Sequence, residues 1–147
     1  ITGCTNTYFD IRDFKVQAGR MFTENEVNTH ARMVVLGPVT VENLFGNQDP
    51  IGLSVKLKGI NFKVIGVLQS KGDQGWANPD DQAIIPYTTA MRQVLGLDYL
   101  REIDLQIDPA ADINLAQEKA TAVLKKRHRI RPDEDADFNI RNQADLI

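Results

Sequence analysis

Residues 33–68 read MVVLGPVTVENLFGNQDPIGLSVKLKGINFKVIGVL, and this stretch decides the fold. It begins with a β-branched, apolar segment at residues 32–36, which predicts a strand. Gly37 and Pro38 follow, and a proline at the first helical position costs the helix no useful amide. Apolar residues at helical spacing predict one helix face, and Gly46 is expected to end this helix where a positive φ is needed.

The second half of the stretch predicts a β-hairpin. Residues 54–57 alternate between polar and apolar, a turn is expected at residues 58–61, and residues 62–68 return as a strand. Because the returning segment is apolar on both faces, we expect its strand at the centre of a sheet.

Working outward, Thr23 and Glu26 have the spacing of a capping box and predict a short helix. Residues 82–85 predict a strand that Pro86 closes, and a helix after it carries an apolar face and stops at Gly96.

The last third of the chain has a different pattern. Ile103, Leu105 and Ile107 alternate with polar residues and predict a strand with one solvated face. Asp112 is expected to cap a helix over residues 113–127, and residues 138–140 predict a final strand. The side chains expected in the core from this helix are Ala116, Ala120, Val123 and Leu124.

This order of elements predicts a mixed α/β chain (α+β mixed) with two lobes. We expect residues 1–100 to form a mixed sheet lobe and residues 101–147 to form a partial βαβ lobe. A chain that begins at Ile1 and ends on Leu146-Ile147 is expected to be a segment of a longer protein.

Composition excludes several classes of function. The formal net charge is −3, which argues against nucleic acid as the main partner because phosphate binding requires an excess of Lys and Arg. Cys4 is the only cysteine, so an intrachain disulfide and a cysteine-based zinc site are both excluded.

Chemical motifs are absent from the sequence. No phosphate-binding glycine loop is present, and His30 and His128 lie too far apart in sequence to suggest a metal site. Nothing beside Cys4 would lower the pKa of its thiol. We therefore expect no catalytic residue, no cofactor and no metal.

The polar loop at residues 70–81 contains the candidate contact residues, Asp73, Trp76, Asp80 and Asp81. A large aromatic residue in a polar, glycine-rich loop is typical of a recognition contact, although it can also cover a sheet face. The three aspartates could bind a hard cation, but such residues usually bond their own backbone in turns. We interpret the four residues as a partner-binding surface.

The ordered motifs resemble the periplasmic core domain of MacB-type ABC transporter permeases, the MacB/FtsX-like permease family. The pieces that carry the resemblance are Val34-Val35-Leu36-Gly37, Leu44-Phe45-Gly46, Asp49-Pro50-Ile51-Gly52 and Phe62-Lys63-Val64-Ile65-Gly66-Val67-Leu68. Three flanking pieces agree, namely Gly3 with Thr5 followed by Tyr8-Phe9, then Gly19-Arg20-Met21-Phe22-Thr23, and later Ile84-Ile85-Pro86.

The resemblance implies a two-lobed domain on the periplasmic side of the inner membrane, as part of an integral membrane protein. Residues 1–100 would be the inserted lobe, and residues 101–147 the second half of a porter-like lobe whose first half is absent, leading towards a membrane helix. The implied partners are a periplasmic adaptor or carrier protein, a second permease copy, and a cytoplasmic ATPase acting through the membrane helices. The implied role is to couple ATP-driven motion to export or lipoprotein release.

Two other functions stay open on the sequence alone. One is a stand-alone extracellular ligand-binding or enzymatic domain that uses the 70–81 loop as its mouth, which would require a concave apolar pocket. The other is a purely structural oligomerisation module.

Overall fold

The computed structural model describes residues 1–72 and 78–142. The chain divides into two compact units, Ile1–Asp104 and Leu105–Ile147. In the first unit the elements are β1 (Thr2–Cys4), α1 (Tyr8–Ile11), β2 (Val16–Gly19), α2 (Glu24–Asn28), β3 (Met33–Leu36), α3 (Pro38–Phe45), β4 (Ser54–Leu57), β5 (Ile60–Leu68), β6 (Ala83–Pro86) and α4 (Tyr87–Thr89), which continues as a π-helix over Ala90–Leu95. The second unit contains α5 (Ile113–Arg127).

The strands of the first unit form one mixed sheet, with six strands among the described residues. Its order is β1-β6-β3-β5-β2, and β4 pairs with β5. The pairs β1–β6 and β3–β5 are parallel. The pairs β2–β5, β4–β5 and β3–β6 are antiparallel. β5 has the central position that its apolar residues predict, because it pairs with β2, β3 and β4.

Two apolar clusters pack against the sheet, and consecutive strand residues alternate between them. Val35, Ile65 and Ile84 belong to one cluster, together with Phe9 from α1 and Val27 from α2. Their sequence neighbours on the same strands join the second cluster, which α3 and the π-helix cover. Alternate side chains of a strand point to opposite faces, so both faces of the sheet are buried.

The local signals at helix ends are confirmed, whereas the hairpin turn differs from its predicted length. Thr23 Oγ1 accepts a hydrogen bond from the Glu26 amide at 3.2 Å, and the Glu26 carboxylate accepts one from the Thr23 amide at 2.9 Å. Gly46 ends α3 with φ of 61°. The predicted four-residue turn is shorter than expected, because β5 begins at Ile60 and only Lys58 and Gly59, both at positive φ, connect the strands. This is the two-residue turn that best fits the twist of a hairpin.

Two predictions for the last third of the chain are wrong. The segments at residues 103–107 and 138–140 form no strand in the structure, and Leu105 is 62% exposed. A strand requires a neighbour that satisfies its backbone groups, and none is present beside these segments in the described part of the chain. The predicted core face of α5 is also wrong: Val123 is 59% exposed, and the other three predicted core residues are only half-buried.

The capping of α5 is as predicted. The Asp112 carboxylate accepts hydrogen bonds from the amides of Asn114 at 2.9 Å and Leu115 at 3.3 Å. At the other end of the helix, Lys125 Nζ donates hydrogen bonds to two backbone carbonyls, and His128 Nδ1 lies 2.7 Å from a carboxylate oxygen of Asp137.

Candidate partner-binding loop

The loop between β5 and β6, residues 69–82, is closed at its base by the Asp80 carboxylate. This group accepts hydrogen bonds from Ser70 Oγ at 2.5 Å, from the Lys71 amide at 2.7 Å and from the Gly72 amide at 3.2 Å. The residue is 6% exposed. Asp80 therefore connects the last residues of the loop to the first ones.

The donors around Asp80 stabilise its charged form. The Ser70 hydroxyl, followed by the Lys71 amide, holds the pKa of Asp80 below its ordinary value, although burial acts in the opposite direction. Hydrogen bonds to an ionised acceptor are stronger than those between neutral groups, so the ionised carboxylate suits the closure of a loop base.

The end of the loop is docked on the start of α3. The Val39 amide donates to the Asp80 carbonyl and the Gly37 amide donates to the Gln82 carbonyl, both at 2.9 Å. A Cβ on Gly37 would lie 2.2 Å from the Asp80 carbonyl oxygen, which no side chain permits. The Gly37-Pro38 turn thus starts a helix and also receives the loop.

Asp81 differs from Asp80 in exposure and in partner. It lies at the surface, and its Oδ1 accepts a hydrogen bond from Thr40 Oγ1 at 3.0 Å. Thr40 also donates to the Gln82 carbonyl at 3.2 Å. Asp81 is consequently positioned beside α3 with its carboxylate facing solvent.

The four predicted contact residues fall into three situations. Asp73 and Trp76 lie outside the described residues. Asp80 is at the loop base with its carboxylate occupied by the loop, and Asp81 is exposed next to it. The two described aspartates bind different groups, and no cluster of three metal-ligating side chains occurs at residues 1–72 or 78–142.

A second set of contacts holds the first side of the loop, and the sequence did not suggest it. Lys71 Nζ lies 2.5 Å from the Arg12 carbonyl oxygen and 4.6 Å from the centre of the Phe14 ring. The Arg12 side chain in turn bonds Asp104 and Glu102. Arg12 is separated from these partners by 59 to 92 positions, so no local motif could have brought them together.

Cys4 is buried in the first apolar cluster. Burial, and to a smaller extent the charge of Asp104, raises the pKa of this thiol to about 12. A thiol that is this hard to ionise is unsuited to act as a nucleophile or a metal ligand.

Comparison with known proteins gives the context for this site. Residues 1–123 match the family described as MacB-like periplasmic core domain. This chain belongs to that family. The motifs from Val34 to Leu68 that carried the resemblance lie within the matched range.

Full-length relatives of this MacB-like domain are transporter components. A protein named "Macrolide export ATP-binding/permease protein MacB" from Chlorobium luteolum is 38% identical over 146 residues, which cover 99% of this chain. A relative of the same name from Bdellovibrio bacteriovorus is 35% identical over 147 residues. The chain spans 22% and 23% of the length of these two relatives.

Two solved structures share the fold of the domain. The periplasmic region of MacB from Actinobacillus actinomycetemcomitans is 27% identical with a TM-score of 0.71, over 87% of this chain and 56% of that one. The extracellular domain of the noncanonic ABC-type transporter YknZ from Gram-positive bacteria is 25% identical with a TM-score of 0.74, over 88% of this chain and 64% of that one. The mixed α/β fold is therefore that of MacB-like periplasmic domains.

Proposed function

We propose that this chain is the extracytoplasmic part of an ABC transporter permease and couples ATP-driven motion to export or lipoprotein release. The observation that carries the proposal is the alignment of 99% of the chain with an ATP-binding/permease protein at 38% identity. The ATP-binding part would be a separate domain of the parent, and the coupling would pass through membrane helices to this domain.

The proposed location is the periplasmic side of the inner membrane. The family is described as a periplasmic core domain, and one of the two solved relatives is the periplasmic region of a MacB protein. Within the described residues, no helix combines the length and the apolar character that crossing a membrane requires.

The proposed role of the loop is to bind a partner, with Trp76, Asp73 and Asp81 as contact residues and Asp80 as the residue that positions them. The Asp80 bonds to Ser70 and Lys71 support this division. A contact surface whose base is already ordered loses less conformational entropy on binding, which improves affinity without new contacts. A periplasmic adaptor or carrier protein and a second permease copy are the proposed partners.

Residues 101–147 are proposed to be the second half of a porter-like lobe. Its support is the alternation of Ile103, Leu105 and Ile107, which form no ladder although the pattern is that of a strand with one buried face. Isolated strand–helix–strand segments seldom form a stable core, so a partner strand is required.

The alternative function, a free-standing ligand-binding or enzymatic domain, is not favoured. The relatives are transporter components, and the thiol of Cys4 is held in its unreactive form. The proposed function therefore assigns binding and movement, and no reaction, to this domain.

Photocrosslinking in the full-length parent tests the partner-binding role. A photoreactive amino acid replaces Trp76 in cells, and a matched control replaces Gln48, an exposed residue after α3. The proposal expects a discrete adduct at position 76 that contains an envelope protein or a second permease copy, and none at position 48. Equal labelling at both positions, or no adduct at 76, would contradict it.

A further inference from the structure

Arg12 binds the loop base with its backbone and the end of the first unit with its side chain. Its carbonyl oxygen accepts a hydrogen bond from the Lys71 ammonium at 2.5 Å. Its guanidinium donates to Asp104 at 2.9 and 3.3 Å and to Glu102 at 2.8 Å. We propose that Arg12 and Lys71 form a strap that couples the position of the loop to the position of residues 102–104, through which the chain leaves the first unit.

On the loop side of the strap, Lys71 is held by both its backbone amide and its side-chain ammonium. The Lys71 backbone amide donates to the Asp80 carboxylate at 2.7 Å, while its ammonium binds the Arg12 carbonyl and lies over the Phe14 ring. Lys71 therefore links the loop base to the carbonyl of Arg12.

The turn after α1 makes this movement reach the guanidinium. Arg12 follows a helix of only four residues, and Asp13 comes next at φ of 54°, where the backbone turns sharply. The Phe14 amide bonds the Phe9 carbonyl at 2.7 Å and closes the turn. In the proposed strap, this short, closed turn connects the Arg12 carbonyl to the side chain of the same residue.

The exit side of the strap uses the fork geometry of arginine. Two guanidinium nitrogens reach the two oxygens of Asp104, and the second nitrogen also reaches Glu102. The guanidinium carbon lies 5.8 Å from the centre of the Tyr8 ring, which supports it from below. A lysine has no such fork and cannot hold both carboxylates in one orientation.

The strength of these contacts suits a coupling element. The Arg12 side chain is 47% exposed and that of Glu102 is 68% exposed, so solvent screens the pairs. Exposed ion pairs contribute little individually, and a modest binding energy at the loop is enough to open or close them. The strap rests on the proposed function in one respect: its use is to pass a partner signal between the loop and the rest of the transporter.

Backbone NMR relaxation on this chain, without any partner, tests the strap. The variants are Arg12→Lys, which keeps the charge but loses the fork, and Lys71→Met, which loses the ammonium. Arg101→Ala is the control, because it removes a neighbouring charge without touching the strap. We expect Arg12→Lys to lower the order parameters of residues 102–104 below their values in the wild type.

The decisive result is transmission across Arg12. Lys71→Met is expected to lower the order of residues 102–104, and Arg12→Lys to lower the order of residues 70–72, while Arg101→Ala changes neither. The strap is refuted if Lys71→Met lowers the order of residues 70–72 alone and Arg12→Lys that of residues 102–104 alone. It is also refuted if Arg101→Ala has the same effect as these variants. The measurement uses no partner, so its failure would leave the crosslinking test of the proposed function unaffected.

Discussion

The carbonyl oxygen of Asp80 occupies the space in which a side chain on Gly37 would have to begin, 2.2 Å from an ideal Cβ. Gly37 has an ordinary φ of −70°, so the requirement for glycine here is the close approach of the loop and not the backbone conformation. The glycine at the start of α3 is thus also the residue against which the end of the candidate partner-binding loop packs.

Gly37→Ala should destabilise the first unit by about 2 kcal/mol or more, because the carbonyl and the helix start must move apart. Urea unfolding measures the loss. Gly59→Asn is the matched control, because nothing lies within 4 Å of its Cβ position and asparagine tolerates the positive φ there. Equal stability of Gly37→Ala and the wild type would contradict the close contact between Gly37 and the Asp80 carbonyl.

Asp80→Asn should destabilise the protein by about 1–3 kcal/mol at pH 7, since it leaves buried donors of the loop base poorly paired. The pKa of Asp80 is lowered in the folded state, mainly by the Ser70 hydroxyl. The stabilisation is therefore complete above the unfolded pKa and is lost as the pH falls through the lower folded pKa.

Urea titrations at pH 7 and at pH 3 check whether the stabilisation by Asp80 falls as the pH is lowered. The difference between wild type and Asp80→Asn should be smaller at the acidic pH, while Asp81→Asn, which changes an exposed carboxylate, should have little effect at either. A difference that grows on acidification would show that the Asp80 carboxylate is not held in its charged form.

The capping box at α2 has its own pH dependence. The Arg20 guanidinium, at 2.6 Å, is the main cause that lowers the pKa of Glu26 from 4.5 to about 2, and the Thr23 amide adds to it. Stability from the ionised Glu26 is present above about pH 4.5 and disappears as the pH falls towards 2. Thr23→Ala should cost about 1 kcal/mol.

NMR titration of the Glu26 carboxylate carbon measures this pKa directly. We expect a midpoint near 2 in the wild type and a midpoint closer to 4.5 in Arg20→Gln. An unchanged midpoint in Arg20→Gln would assign the shift to the cap alone.

Cys4 should not react with an aromatic disulfide reagent at pH 8 in the folded protein. Burial raises its pKa to about 12, so the reactive thiolate is scarce, and the apolar cluster blocks access. Urea-unfolded protein should react completely, and an exposed cysteine introduced as Gln48→Cys should react at once in the folded state. Rapid labelling of native Cys4 would mean that β1 opens readily.

The parts of the fold that the sequence predicted are those that local chemistry specifies. The apolar run in β5 indicated a central strand, Pro38 and Gly46 delimited α3, and the spacing of Thr23 and Glu26 indicated the cap of α2. Each of these signals lies within a few residues of the feature it determines.

The missed features depend on groups that are distant in sequence, or on a neighbouring strand that the described residues do not supply. β1 is three residues long and exists because it pairs with β6, whose residues come from the other end of the first unit. The alternation around Leu105 is a genuine strand pattern, but a strand forms only beside another strand. Similarly, nothing in the sequence reveals that Ser70 and Lys71 donate hydrogen bonds to Asp80.

The most direct test of the proposed coupling role uses the full-length parent carrying Trp76→Ala, with Gln48→Ala as the control and with export and ATP hydrolysis measured together. We predict that Trp76→Ala keeps basal ATP hydrolysis and the folding of the domain but loses export. ATP-driven motion would still reach the domain, but the domain would no longer bind its partner. Normal export by Trp76→Ala, or a loss of domain stability above about 2 kcal/mol, which would indicate a core residue, would contradict the coupling role.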